Sequence, residues 1–316
     1  MYSKEKQQDI LENLHTIRDF IRWTMTEMTA EKVYFGHGSD NMWDEAVHLV
    51  LSAINMSHDI DTGMVSAKLL TEEKKSIISY VYQRAHERKP LSYILKKAWF
   101  VDMEFDIDER VIIPRSPIAE LIRNDYAPWV NDVDNIENVL DLCTGSGCIG
   151  IASSYVFENA NITLVDISDD ALEIANRNIK KHQLSDKVTA VKSDLFNNLG
   201  SKRFGVIVSN PPYVDSQDLA SMPTEYHFEP KLALEAGNDG LDLAKRIILE
   251  ADKHLTEDGV LIVEVGNSQH ALMEMCPDIP FTWLSFAEGG DGVFLLTYAE
   301  LVQYKDLFIK YFNAVK

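Results

Sequence analysis

Two consecutive prolines, Pro211 and Pro212, follow closely on an apolar run, Gly205-Val206-Ile207-Val208-Ser209. A short continuous run of this kind predicts a buried parallel strand. Each proline removes a backbone N–H, and neither helix nor sheet continues through the pair, so the strand has to end at Asn210. An α/β sheet places its chemistry at the carboxyl ends of such strands. Asn210 brings a side-chain oxygen to that point, and Pro211 brings a carbonyl left without a ladder partner. Two acceptors aimed at one point suit an –NH2 group, and Tyr213 offers a flat wall against it. As a wall, Tyr213 should tolerate Phe. A turn with structural prolines is the plain alternative, so the surrounding chain has to decide.

Upstream, Asn138-Val139-Leu140-Asp141-Leu142-Cys143 predicts a first buried strand, running into the turn Thr144-Gly145-Ser146-Gly147. Helical apolar spacing follows from Cys148 to Ala152. Strand, glycine turn and helix together let a ligand approach the backbone near a helix N-terminus. Gly145, Gly147 and Gly150 also complete a G-x-G-x-x-G spacing, so the loop alone does not exclude a nicotinamide cofactor. Asp166 ends the next strand, Ile162-Thr163-Leu164-Val165, where a carboxylate holds ribose hydroxyls. The competing role of a helix N-terminal acid is already filled by Ser168, Asp169 and Asp170. A third strand, from Lys187 to Val191, ends near Asp194, which is either a partner for an adenine amino group or a plain surface aspartate.

Glycine loop, Asp166, Asp194 and Asn210-Pro211-Pro212-Tyr213 follow one another in the order seen in S-adenosylmethionine-dependent methyltransferases of the Rossmann-like class, which the chain resembles. More narrowly it resembles the protein-glutamine methyltransferases. That likeness rests on Ile113-Pro114-Arg115, on Asp141 to Gly147, on Ser193-Asp194-Leu195-Phe196 and on Asn210 to Val214. It also includes Phe228-Glu229-Pro230, Ala233-Leu234 and Gly237-x-Asp239-Gly240. Tyr34 to Asn41 and Arg115-Ser116-Pro117-Ile118 resemble the branch acting on large-subunit ribosomal protein L-three, whereas the release-factor branch has Arg-Pro-Asp-Thr at the latter place. Cys143 departs from the pattern, since many relatives carry glycine there.

The resemblance implies S-adenosylmethionine as cofactor and an α/β class I methyltransferase sheet in residues 117–316. An N-terminal helical domain for substrate recognition (1–92) and a β-hairpin linker (93–116) would precede it. It implies cofactor binding by Asp141, Cys143, Thr144, Gly145, Ser146, Gly147, Asp166, Asp194, Leu195 and Asn210. Asn210, Pro211 and Tyr213 would be catalytic, and Arg115 and Pro212 would join them on the substrate side.

The pattern of the chain agrees with this division. Ile10, Leu14, Ile17, Ile21 and Met28 recur at helical spacing, and Trp43, Val47, Val50, Leu51 and Ile54 make a second inward stripe. Thr71 is expected to cap a third helix that carries Ile77, Ile78, Val81 and Ala85 inward and stops before Pro90. From Phe100 to Ile113 apolar residues flank Asp108-Glu109, which suggests a hairpin turning there. Val260 to Val265 predicts a further strand, and Phe281 to Leu284 and Val293 to Leu296 the last two, one of them antiparallel.

The chain carries 30 Lys and Arg against 50 Asp and Glu, a formal net charge of −20. Free nucleic acid is repelled by such a surface, because duplex binding draws on phosphate neutralisation. A basic ribosomal protein, before or during ribosome assembly, is instead attracted. Three cysteines without metal-ligand spacing argue for a reducing compartment. The polar start Ser3-Lys4-Glu5-Lys6 does not read as a signal peptide, and no stretch is apolar enough to span a bilayer. A cytoplasmic enzyme without membrane or metal is expected. Three other readings stay open: a release-factor glutamine methyltransferase, an exocyclic-amine DNA adenine methyltransferase acting on a flipped base, and a cofactor-binding assembly factor without turnover.

Overall fold

The amino-terminal helical pattern breaks at Thr16. Helix α1 (Lys4–Asn13) ends before it and α2 (Ile17–Ala30) starts after it. Thr16 Oγ1 accepts the Asp19 N–H at 3.2 Å, while the Asp19 carboxylate accepts the Thr16 N–H at 2.8 Å. This reciprocal cap satisfies donors that a helix start otherwise leaves bare. The computed structural model describes residues 1–39, 41–57, 59–215, 218 and 221–314. Asp40, part of the segment that resembles the ribosomal branch, lies outside them.

Helices α3 (Met42–Ala53), α4 (Thr71–Ala85) and α5 (Leu91–Leu95) complete the amino-terminal helices. Phe20, Met28, Leu49, Val50, Ile77 and Val81 form their fully buried core. Two expectations are corrected here. Trp43 is 56% exposed, because Glu45 and Ala46 are the residues of that helical turn that face inward. Thr71 is the first helical residue rather than the cap: Leu70 holds the cap position, and its N–H is accepted by Glu73 at 2.7 Å.

Met1–Lys97 forms one compact unit together with Pro223–Phe228, and Ala98–Met222 with Glu229–Lys316 forms the second. The boundary at Lys97 therefore falls inside a hairpin strand, and a short piece from far downstream folds with the helices. Glu225 accounts for that return. Its fully buried carboxylate accepts Arg88 Nε at 2.8 Å, Arg88 Nη2 at 3.0 Å, Arg84 Nη1 at 3.3 Å and the Tyr34 N–H at 2.8 Å.

Strands β1 (Lys97–Phe100) and β2 (Met103–Asp106) pair as their own two-stranded sheet. The hairpin turns at Val101-Asp102, with φ of +48° and +58°, and not at Asp108-Glu109 as expected. Positive φ at both central residues matches the twist of a tight hairpin, but a β-branched residue there gives no advance signal. Asp108 is occupied otherwise, accepting from Arg110 Nε and Nη2, both at 2.8 Å.

The main sheet contains β3 (Asn138–Leu142), β4 (Asn161–Asp166), β5 (Val188–Lys192), β6 (Phe204–Ser209), β7 (Leu255–Glu264), β8 (Thr282–Trp283) and β9 (Val293–Thr297). Its order is β5-β4-β3-β6-β7-β9-β8, parallel from β5 to β7, with β9 antiparallel to both its neighbours. Alternate residues feed two cores, as the period of a strand demands. Val139, Val206 and Ile262 pack with α6 (Ile118–Arg123), α7 (Cys148–Val156) and α8 (Asp169–Lys181). Leu140, Ile207 and Leu261 pack on the other side with α9 (Asp242–Glu250), α10 (Gln269–Met275), α11 (Tyr298–Gln303) and α12 (Lys305–Ala314). Strand order reverses between β3 and β6, and a crevice opens beyond strand ends at such a switch. No helix among the described residues is long and apolar enough to cross a membrane.

Candidate active site

A cavity of about 250 Å³ lies at the carboxyl ends of β3 to β6. Cys143, Gly145, Asp166, Ile167, Asp194, Leu195, Asn210 and Pro212 border it, with Arg110 and Arg246 at its lip. The topology thus brings four separate motifs of the sequence to one place.

The loop after β3 is bent by three left-handed residues, Cys143 at φ +57°, Gly145 at +55° and Gly147 at +83°. For Cys143 that conformation costs about 1–2 kcal/mol relative to an unstrained backbone, which is what a glycine there would avoid. Burial pushes its thiol well up from the ordinary range. A Cβ on Gly145 would meet nothing within 4 Å, so the loop borders open space there. Gly150 is different, since a Cβ would fall 2.2 Å from Leu164 Cδ2. The third glycine of the spacing therefore serves helix–sheet packing.

Asp141, Thr144, Ser146 and Gly147 do not border the cavity but hold its loop from behind. Asp141 Oδ2 accepts the Thr144 hydroxyl and, at 2.9 Å, the Gly150 N–H. Its Oδ1 is buried with no partner among the described residues. Burial pushes this carboxyl up to about 7, against those two bonds and with a small addition from Asp166. The Thr144 N–H donates to Val165 C=O at 2.9 Å, and the Ser146 carbonyl accepts Asn178 Nδ2 at 2.8 Å.

Asp166 faces the cavity from the end of β4. One oxygen accepts the Gly145 N–H and the other the Ser168 N–H, each at 2.9 Å. Burial still raises its pKa above the ordinary carboxylate value. Ser168 caps α8 by accepting the Ala171 N–H at 3.2 Å. Asp194 is paired with Arg246, Nη2 to Oδ2 at 2.9 Å, a partner no motif had indicated. Leu195, next to it, is buried at φ +48°.

Asn210 borders the cavity, and its side chain makes no hydrogen bond among the described residues. The Pro211 carbonyl likewise accepts none there. Tyr213, expected as a flat wall, is not among the residues that border the cavity. Its hydroxyl donates to Glu264 Oε1 at 2.9 Å, and its carbonyl accepts Ser268 Oγ at 3.0 Å. Neither does Arg115 border the cavity; its guanidinium grips Glu229 in a fork, at 2.5 and 2.7 Å. Glu229 also accepts the Ile113 N–H at 3.0 Å.

The sequence reasoning passed over Glu264, Arg110 and Arg246. Glu264 carried a usable signal, because it ends a buried strand as Asp166 does. The arginines did not, since a basic residue on a loop or an amphipathic helix is ordinary.

Residues 130–228 match the methyltransferase small domain family. A ribosomal protein uL3 glutamine methyltransferase of Francisella tularensis is 78% identical over 313 residues, 99% of this chain and all of the relative. One from Bordetella pertussis is 41% identical over 93% of this chain and 99% of that protein. Among solved structures, the hMettl16 catalytic domain in complex with MAT2A 3'UTR hairpin 6 gives a TM-score of 0.48 at 19% identity, covering 76% of this chain and 87% of that one. With its parallel sheet, reversed order and antiparallel β9, the second unit has the Rossmann-like class I methyltransferase fold. On likeness along nearly its whole length, the chain belongs to the family of ribosomal protein uL3 glutamine methyltransferases.

Proposed function

We infer that this chain transfers a methyl group from S-adenosylmethionine to the side-chain amide nitrogen of a glutamine in ribosomal protein uL3. The observation that carries this reading is the 78% identity along 99% of the chain to a relative of that name. The cavity suits the cofactor. The loop is open at Gly145, and each Asp166 oxygen has taken one N–H and keeps a further lone pair for a ribose hydroxyl. Asp194, Leu195 and Ile167 line the side where an adenine would lie.

When bound, S-adenosylmethionine supplies a methyl carbon already activated on a sulfonium. An amide nitrogen is a poor nucleophile, because its lone pair is delocalised into the carbonyl. The task of the protein is therefore placement at near-attack distance. Asn210 Oδ1 and Pro211 C=O accept the two amide hydrogens and turn the lone pair toward the methyl. As the nitrogen becomes positive, these acceptors bind it more tightly than in the ground state. The proton leaves after transfer, when it is far more acidic, and no side chain is assigned as general base.

The acidic surface attracts a basic ribosomal protein, in the cytoplasm and before or during assembly. The helical unit is assigned the recognition of that protein. Radiolabelled methyl transfer to purified uL3 and to release factor, run side by side, tests the reading. Label in uL3 alone is expected, and label in release factor alone overturns it.

A further inference from the structure

Among the described residues no hydrogen bond holds the Asn210 side chain or the Pro211 carbonyl, yet the reading above needs both to point at one nitrogen. Their direction must come from the residues on either side. On one side Ser209 is fixed in β6, where it pairs with Leu142 and Val263, and its Oγ donates to the Leu142 carbonyl at 2.8 Å. On the other side stands Tyr213. Between them lie only Asn210 and two prolines, whose rings lock φ. Whatever holds Tyr213 therefore sets the two acceptors.

Contacts from Ser268, Gly266, Gly240 and Glu264 hold it. The Ser268 hydroxyl takes its carbonyl at 3.0 Å. Gly266 and Gly240 let the backbone close on it, since a Cβ would fall 2.6 Å from the ring and 2.2 Å from the carbonyl oxygen, respectively. Finally, its hydroxyl ends on Glu264, which is 4% exposed at the end of β7. The second Glu264 oxygen accepts the Ser116 hydroxyl, and Ser116 Oγ accepts the Ile118 N–H at 3.2 Å.

We propose that Glu264 is a positioning residue for methyl transfer: its ionised carboxylate, accepting from Tyr213 and Ser116 together, holds the Asn210–Tyr213 turn in the orientation that presents both amide acceptors. This rests on the acceptor reading of Asn210 and Pro211. Both donors to Glu264 are neutral hydroxyls, and the ionised carboxylate accepts both more strongly than a protonated one, which has given part of its acceptor capacity to its own proton. Burial pushes the carboxyl up, against the bonds from Ser116 and Tyr213 and the charge of Arg115. Protonation at lower pH then releases one hydroxyl and loosens the turn.

The test measures methyl transfer to uL3 from pH 5 to 9, with cofactor binding by calorimetry, for Tyr213→Phe, Glu264→Gln and Asn210→Ala. Tyr213→Phe removes one oxygen and leaves the ring in its slot. Tyr213→Phe and Glu264→Gln are expected to lower kcat about 10- to 100-fold, while cofactor affinity changes less than about threefold. The wild-type kcat is expected to fall on the acid side, and that limb is expected to be missing in Glu264→Gln. Tyr213→Phe with near-normal kcat overturns the proposal, as does an unchanged acid limb in Glu264→Gln or a parallel loss of cofactor affinity. If Asn210→Ala is inactive while Tyr213→Phe is normal, the clamp falls and the acceptor reading survives. If Asn210→Ala retains turnover, the acceptor reading falls and takes the clamp with it.

Discussion

Glu225 among the helices and Glu264 in the catalytic unit are both buried carboxylates, yet their surroundings treat them in opposite ways. Glu225 among the helices meets two guanidinium groups and a backbone N–H. Burial alone would raise its pKa, but the bonds from Tyr34 and Arg88 and the charge of Arg84 outweigh burial and hold it below the ordinary value. Among the described residues, Glu264 and Asp141 in the catalytic unit receive hydrogen bonds from hydroxyls and one N–H. Burial wins for both, and both are raised. Glu225, matched by two guanidinium groups, is held below its ordinary value and serves cohesion. A carboxylate matched by neutral donors stays sensitive to protons and to what enters the adjoining cavity. At the active site the Asn210 side chain and Asp141 Oδ1 make no hydrogen bond among the described residues.

If that contrast holds, substitutions should separate into losses of stability and losses of chemistry. Glu225→Ala removes the carboxylate shared by buried Arg84 and half-buried Arg88 and should cost about 3–5 kcal/mol in denaturant unfolding. A loss below 1 kcal/mol would erase the contrast. Asn210→Ala should lower methyl transfer about 10²- to 10³-fold, with cofactor affinity nearly intact by titration calorimetry. Asp166→Ala removes a charge-assisted acceptor and should weaken cofactor binding about 10- to 100-fold; unchanged affinity would remove it from the site.

Asp141 sharpens the comparison through pH. Its folded pKa of about 7 lies above the ordinary 3.8, so the folded state binds the proton more tightly. Its contribution to stability is full below about 3.8 and is lost as pH rises toward 7. The loss should reach about 1.4 kcal/mol per pH unit at its steepest, and Asp141→Asn should flatten that slope in unfolding titrations. The smallest effect is expected for Ser168→Ala, which removes the α8 cap. About 1 kcal/mol of stability should go, with cofactor affinity unchanged, because an alanine at 168 keeps the backbone N–H that donates to Asp166.

Much of the catalytic unit was legible because its signals are local. A run such as Phe204–Ser209 is buried throughout, and apolar up to Ser209, because both faces of its strand are covered. Ser168 announces α8 because a hydroxyl before a first turn carrying two aspartates satisfies bare N–H groups. The hairpin was misplaced for the converse reason. Asp108-Glu109 has turn-like composition, yet the chain turns at Val101-Asp102, where pairing of β1 with β2 overrides the reluctance of a valine. Trp43 was put inward by periodicity, although its neighbours Glu45 and Ala46 took that face.

By itself the sequence determined the succession of strands, the glycine loop, Asp166 and the proline-stopped end of β6, since each depends on residues a few positions apart. The tertiary structure alone decided what stands behind them. Glu264 meets Tyr213 across 51 residues, Arg115 meets Glu229 across 114, and Arg88 meets Glu225 across 137. A hydrogen bond between such distant positions leaves no period and no motif along the chain. It exists only once the sheet and the helices have brought its two ends to within 3 Å or so of each other.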